Sequence, residues 1–198
     1  MSELQRQAHI TRRTRETDIE LELHLDGTGS GAIATGVGFF DHMLTAWARH
    51  GLFDLSVRCQ GDLHVDPHHS IEDVGICLGQ AIVEAVGNKA GLERFGSSFV
   101  PMDEALARAV VDLSGRPYLV LEAAFHEAQV GAFPVSMARE FFRAVADNGR
   151  LTLHLDLLRG TNDHHGIEAL FKAFGRSLAQ ATRFSPREHG VPSTKGAL

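Results

Sequence analysis

A five-residue motif that occurs twice, once in each half of the chain, constrains the fold more than any other feature. His68-His69-Ser70-Ile71-Glu72 recurs as His164-His165-Gly166-Ile167-Glu168, an offset of 96 residues. At the same offset Gly79 corresponds to Gly175. Self-similarity of this kind indicates an internal duplication, and therefore two halves built from the same elements.

The hydrophobic pattern supports this interpretation, because alternation predicts strands and helical spacing of apolar residues predicts helices. The first half contains predicted strands at 19–25, 32–37 (the return strand after a turn) and 52–59, and helices at 39–50 and 68–89, the latter closed by Gly91. The second half contains predicted strands at 105–113, 118–124 and 151–157, and helices at 136–147 and 164–182. Both halves follow the order strand, strand, helix, strand, helix.

We therefore expect one α+β domain over residues 1–198, in two tandem repeated halves at about 10–97 and 98–185. Each half is expected to be a mostly antiparallel β-sheet packed on helices. The remaining tail, 186–198, is rich in Gly, Pro, Ser and charged residues, and is expected to be a loop.

Composition excludes several classes of partner. The formal net charge is -6, so no global electrostatic case exists for nucleic acid or anionic membrane. No apolar run is long enough to span a bilayer, and the N-terminus lacks the apolar segment of a secretory signal. Cys59 and Cys77 have no CxxC spacing, which favours reduced, buried thiols in a cytoplasmic protein.

The duplicated motif has the chemistry of a metal site. Adjacent residues on a helix project about 100° apart, so the His68 and His69 rings point in different directions. Glu72, four residues after His68 and three after His69, can reach the region beside both rings. Adjacent histidines suit contributions to two metal centres. Imidazole and carboxylate ligands without thiolate favour Mn, Fe or Zn over a structural zinc site, and Asp66 is a candidate to orient the histidine rings.

A phosphate site is a second, weaker hypothesis. Arg94 and Arg116 lie beside predicted turns, and the tail segment Ser193-Thr194-Lys195-Gly196 offers hydroxyls, backbone N–H groups and an ammonium. Such groups together can bind a phosphate, although each of these cations alone is typical of a solvated surface.

Taken together, the motifs resemble those of the imidazoleglycerol-phosphate dehydratase family, and they cover the chain nearly from end to end. The matching segments are Arg15-Glu16-Thr17, Asp26-Gly27-Thr28-Gly29, Gly38-Phe39-Phe40-Asp41-His42-Met43-Leu44, His68-His69-Ser70-Ile71-Glu72-Asp73, Pro101-Met102-Asp103-Glu104-Ala105, Ser114-Gly115-Arg116-Pro117, Asn162-Asp163-His164-His165, Glu168-Ala169-Leu170-Phe171-Lys172-Ala173 and Pro192-Ser193-Thr194-Lys195-Gly196. No region corresponds to a fused phosphatase domain, so the resemblance is to the single-function form.

The resemblance implies a hydro-lyase that dehydrates imidazole glycerol phosphate to imidazole acetol phosphate in histidine biosynthesis. It also implies two Mn²⁺ ions per active site and a homo-oligomer of 24 subunits with active sites between subunits. The metal ligands that it implies are His42, His68, His69, Glu72, His164, His165 and Glu168, with Glu140 as an additional candidate. The substrate-binding residues that it implies are Glu16, His42, Arg94, Arg116, Lys172, Ser193 and Lys195, and the catalytic carboxylates are Glu16, Glu72 and Glu168. Among these, Glu16 is the candidate proton shuttle.

Two other functions fit the metal motif by itself. One is a metallohydrolase of small phosphoesters that uses a metal-bound hydroxide and does not need an imidazole on its substrate. The other is a metal-binding shell without catalysis, in which no activity would depend on Glu16.

Overall fold

The computed structural model describes residues 6–196 and shows two halves with matching elements. The first half contains β1 (Gln7–Arg13), β2 (Thr17–His24), β3 (Ile33–Ala34), α1 (Gly38–Gly51), β4 (Asp54–Gly61) and α2 (His68–Val86). The second half contains β5 (Phe95–Met102), β6 (Ala105–Asp112), β7 (Tyr118–Glu122), β8 (Gln129–Val130), β9 (Phe133–Pro134), α3 (Met137–Gly149), β10 (Thr152–Arg159) and α4 (Asp163–Ala181). No helix among the described residues is long and apolar enough to cross a bilayer.

The two four-stranded sheets have the same topology. Their strand orders are β1-β2-β4-β3 and β5-β6-β10-β7. All neighbouring strands in them are antiparallel except the last pair of each sheet, β3 with β4 and β7 with β10. The predicted α+β class, with two repeated and mostly antiparallel halves, is confirmed.

Several details of the sequence prediction were wrong. The first strand of each half, β1 and β5, was missed, as was the small β8–β9 hairpin. In β1 the outward residues are polar and one inward residue is Arg12, so the apolar alternation that marks a strand is weak there. The return strand at 32–37 shrinks to two residues, and it pairs with β4 because β4 inserts between it and β2. The helix α2 ends at Val86, capped by Gly87 with φ of 62°, and not at Gly91.

Helices of the two halves pack across each other. Each sheet packs on the second helix of its own half, whereas α1 packs on α4 and α2 packs on α3. At each crossing a glycine lets the two helices approach closely. A Cβ on Gly175 would lie against the backbone of Trp47 and Gly51, and a Cβ on Gly79 would lie against the backbone of Gly149. The presence of glycine at the equivalent positions 79 and 175 therefore has a structural reason. At each position the lack of a side chain lets two helix backbones touch.

We predict that Gly79→Ala destabilises the fold. A Cβ on Gly79 would lie 2.6 Å from the Gly149 nitrogen and 2.8 Å from the Val145 carbonyl oxygen, which are backbone atoms that cannot rotate away. Overpacking should outweigh the gain in helix propensity and lower the free energy of unfolding by about 1–2 kcal/mol. Urea titration measures this change in the free energy of unfolding. Gly38→Ala is the control, because a Cβ there meets no atom within 4 Å. An equal or higher midpoint for Gly79→Ala would show that the helix crossing can widen.

Candidate functional site

Both copies of the repeated motif occupy the first turn of a helix. At the start of α4 the Asn162 side chain accepts hydrogen bonds from the backbone N–H groups of His164 and His165, at 2.9 and 3.4 Å. At the start of α2 Asp66 accepts the backbone N–H of His68 at 2.7 Å. Asp66 thus fixes the helix start, and it does not hold a histidine ring as the sequence suggested.

The first cluster joins α1 to α4. His42 Nε2 lies 3.1 Å from Glu168 Oε2, and His164 Nε2 lies 3.2 Å from the same oxygen. The other oxygen of Glu168 is 2.6 Å from Lys172 Nζ. Burial opposes ionisation of Glu168, but Lys172 and His42 outweigh it and hold the pKa of this carboxyl below its ordinary value. The cluster therefore presents an ionised carboxylate between two imidazoles.

This donor set fits a divalent metal ion. One ligand atom each from His42, His164 and Glu168 lies within 4.8 Å of the others, and among the described residues they form the one group found with such spacing. Two imidazoles and one carboxylate without a thiolate suit Mn, Fe or Zn, as the motif predicted.

The second cluster lies at the equivalent place between α2 and α3. His68 Nε2 is 3.5 Å from Glu72 Oε2. Glu140 stands where the first cluster has His42, and Arg143 Nη2 lies 2.6 Å from Glu140 Oε2 and 3.4 Å from Glu72 Oε1. Arg143 was not among the residues predicted from the sequence, although its three-residue spacing from Glu140 on a helix is a usable signal. This cluster is richer in carboxylates and contains its own cation.

The second histidine of each motif points to a different carboxylate. His69 Nδ1 lies 3.0 Å from Asp62 Oδ2, and His165 Nδ1 lies 2.8 Å from Glu104 Oε2. The hydrogen bonds that the two imidazoles donate to these carboxylates raise the pKa of both imidazoles. Carboxylates bonded to one ring nitrogen commonly orient a histidine so that its other nitrogen can bind a metal. Asp62 lies in a loop with no pattern that identifies it, which is why sequence reasoning missed it.

The candidate substrate residues fall into separate groups. Glu16 Oε1 lies 3.9 Å from His69 Nε2. Arg94 is held by Asp112 at 2.7 Å and by the Pro192 carbonyl oxygen at 2.8 Å. The cavity beside Arg94 is lined by Glu188, Val191, Pro192, Ser193 and Thr194. The structure therefore brings Arg94 together with the tail, as a phosphate site would need.

The other candidate cations lie elsewhere. Lys172 contacts Glu168 in the first cluster. The Arg116 guanidinium lies 3.5 Å from the Ser114 carbonyl oxygen, at the turn between β6 and β7. For Lys195 the described hydrogen bond is from its backbone N–H to Ser193 Oγ, at 3.2 Å. These contacts do not by themselves join Arg116 or Lys172 to Arg94.

Comparison of the sequence with known proteins points to one family. The imidazoleglycerol-phosphate dehydratase family model matches residues 35–178. Curated relatives with that name include one from Exiguobacterium sp., 58% identical over 191 residues, which covers 96% of this chain and 97% of the relative. Another, from Acetivibrio thermocellus, is 56% identical over 195 residues and covers 98% of this chain and 100% of the relative.

Solved structures agree with these relatives. Imidazoleglycerol-phosphate dehydratase from Staphylococcus aureus is 43% identical with a TM-score of 0.82, covering 90% of this chain and 99% of that one. The Pyrococcus furiosus protein, solved in complex with (S)-C348, is 40% identical with a TM-score of 0.84, covering 96% and 100%. The chain belongs to the imidazoleglycerol-phosphate dehydratase family.

Proposed function

We propose that this protein dehydrates imidazole glycerol phosphate to imidazole acetol phosphate in histidine biosynthesis. The observation that carries the proposal is the convergence of His42, His164 and Glu168 into one metal-binding group, in a chain whose family membership extends over nearly its whole length. A substrate that contains an imidazole ring is suited to a site that offers metal ions.

We propose that two Mn²⁺ ions serve each active site and that the sites lie between subunits of a 24-subunit homo-oligomer. The proposed ligands are His42, His68, His69, Glu72, His164, His165 and Glu168, with Glu140 as the additional candidate. In support, the His69 and His165 rings are held by carboxylates outside the two clusters of their own subunit. Such histidines are available to complete the clusters of a neighbouring subunit.

A cytoplasmic location is part of the same proposal. Cys59 and Cys77 are both free and buried, which fits a reducing compartment. Burial raises the pKa of Cys77 to about 12, so this thiol stays protonated and unreactive.

The reaction begins with a carbon acid that is weak because no carbonyl group is adjacent. Metal ions, when bound, supply Lewis acidity toward the nitrogens of the substrate ring. Glu16 accepts the proton from the second carbon from the ring, and its carboxylate, 53% exposed, is free to reach a substrate. The hydroxyl on the carbon attached to the ring leaves with a proton as water, and the resulting enol tautomerises to the ketone on the second carbon.

The remaining residues orient the substrate. Arg94, Arg116, Ser193 and Lys195 are proposed to bind its phosphate, which would place the ring toward the metal ions, with Lys172 beside the substrate at Glu168. Glu72 and Glu168 act as anionic ligands, and Lys172 also keeps Glu168 ionised.

The direct test is turnover by the purified protein. With imidazole glycerol phosphate and Mn²⁺ we expect formation of the keto product, and loss of that activity after chelation with EDTA and its return on adding Mn²⁺. The same preparation should not hydrolyse p-nitrophenyl phosphate, which a phosphoester hydrolase would cleave. Absence of keto product with every divalent metal tried would overturn the proposed function.

We predict that Glu168→Gln weakens metal binding. The amide lacks the charge that holds a divalent ion between His42 and His164, so the bound Mn²⁺ per subunit should fall and affinity should drop at least ~10-fold. Elemental analysis after gel filtration measures the bound metal. The matched control is Glu84→Gln, which changes an exposed carboxylate on α2 outside both clusters. Equal metal content in the two variants would remove Glu168 from the ligand set.

A further prediction concerns Glu140 in the second cluster. If Glu140 replaces an imidazole as a ligand, Glu140→Ala should weaken Mn²⁺ binding by roughly 10-fold, whereas Glu140→His, which copies His42, should retain it. Isothermal titration of the metal-free protein with Mn²⁺ distinguishes the variants. Unchanged affinity in Glu140→Ala would assign Glu140 to its ion pair with Arg143 alone.

A further inference from the structure

Three polar side chains meet behind the loop that carries Glu16. The Thr17 hydroxyl donates a hydrogen bond to Asp73 Oδ2 at 2.5 Å, and the Arg12 guanidinium lies 3.0 Å from Asp73 Oδ1. Thr17 and Asp73 are buried, with relative exposures of 3% and 7%. We call Arg12, Thr17 and Asp73 the Asp73 network.

Stability alone does not account for this network. The Asp73 side chain is 10% exposed and that of Arg12 is 34% exposed. Removing such charges even partly from water costs free energy, and well-packed apolar residues of similar volume are often as stabilising as a buried ion pair. In addition, Arg12 Nε is buried without a hydrogen-bond partner among residues 6–196. An unpaired buried N–H group costs free energy of folding, so its presence calls for an explanation other than stability.

The second half builds the same structure without these polar groups. Arg12 in β1 lies opposite Ile19 in β2. In the β5–β6 hairpin, 88 residues later, Val100 lies opposite Ala107. By this register, and by the motif offset for the helix, the counterparts of Arg12, Thr17 and Asp73 are Val100, Ala105 and Ala169, all of them buried. The fold itself therefore does not require the Asp73 network.

The network fixes the backbone of Glu16. Because Thr17 Oγ1 gives its one hydrogen to Asp73, Thr14 Oγ1 must be the donor in the 3.2 Å contact between the two threonine hydroxyls. Thr14 Oγ1 in turn accepts the backbone N–H of Glu16 at 3.0 Å. On the other side, the Glu16 carbonyl oxygen accepts the backbone N–H of Asp62 at 3.1 Å.

The repeat gives the counterpart of Glu16 a different role. That counterpart is Glu104, which directly precedes β6 as Glu16 precedes β2. Its carboxylate is bonded to His165 Nδ1 at 2.8 Å and accepts the backbone N–H groups of Asn162 and Thr161. Glu104 is thus held by its own side chain. The Glu16 carboxylate makes no hydrogen bond among the described residues, lies 3.9 Å from His69 Nε2, and is positioned through its backbone.

We propose that Arg12, Thr17 and Asp73 are positioning residues that hold the Glu16 carboxylate in place for proton transfer, an inference that rests on the proposed function. The second half lacks the network because Glu104 has no proton to transfer. The Asp73 network acts only through Glu16, and it does not touch substrate.

The test gives the first half the residues of the second, in the Mn²⁺-loaded full-length protein. Arg12→Val/Thr17→Ala/Asp73→Ala should fold and keep its thermal midpoint and bound Mn²⁺, because the same apolar set packs in the other half. We expect kcat for imidazole glycerol phosphate to fall by roughly 10- to 100-fold with KM within about twofold, since small misplacements of a reacting group have effects of this size. Thr17→Ser, which keeps the hydroxyl, should retain the activity that Thr17→Val loses.

A mutant cycle with Glu16→Gln separates positioning from other effects. If the network acts through Glu16, the triple change should lower kcat no further in the Glu16→Gln background. Near-normal turnover in the triple variant, or an equal further loss in that background, would overturn the positioning role while leaving the proposed function intact. If the triple variant does not fold, the comparison of Thr17→Val with Thr17→Ser decides the question. Absence of turnover in the unchanged protein would overturn the proposed function and this inference with it.

Discussion

The close crossing of α1 on α4 is the contact on which the first cluster depends. His42 comes from one half of the chain and the His164–Glu168 turn from the other. They meet because Gly175 lets its helix backbone touch that of Trp47 and Gly51 at the far end of the same crossing. The crossing of α2 on α3, made by Gly79 and Gly149, brings Glu140 to Glu72 in the same way. Neither cluster could form within one half alone.

The duplication produces two clusters of similar shape and different charge. The first has two imidazoles and one carboxylate, and Lys172 neutralises that carboxylate. The second has one imidazole, from His68, and two carboxylates, with Arg143 bonded to both. Oxygen-rich sets favour harder ions such as Mn²⁺, whereas imidazoles also suit softer ones, so the two halves are not equivalent toward metal.

The sequence predicted those parts of the fold that leave a periodic or repeated pattern. The helices α1 to α4 and the central strands follow apolar periodicity, and the doubled motif is sufficient to identify His68 and His164 as candidate ligands. Strand β1 could not be recognised, because inward-facing Arg12 replaces the apolar residue that alternation requires. Asp62 and Arg143 could not be assigned either. A loop carboxylate or a helical arginine has no signature until folding brings it to a particular ring or carboxylate.

The two halves also have to differ because the proposed substrate is not symmetric. Only one proton is removed from carbon, so one carboxylate must be free while its counterpart can serve structure. His165 and the Asn162 N–H lower the pKa of Glu104 to about 2, which makes Glu104 a good anionic support and a poor base. Glu16 accepts no such bonds in the described contacts, and its place is set by buried groups that the other half has replaced with Val100, Ala105 and Ala169. The two halves thus hold these glutamates differently, the proposed base Glu16 through its backbone and Glu104 through its side chain.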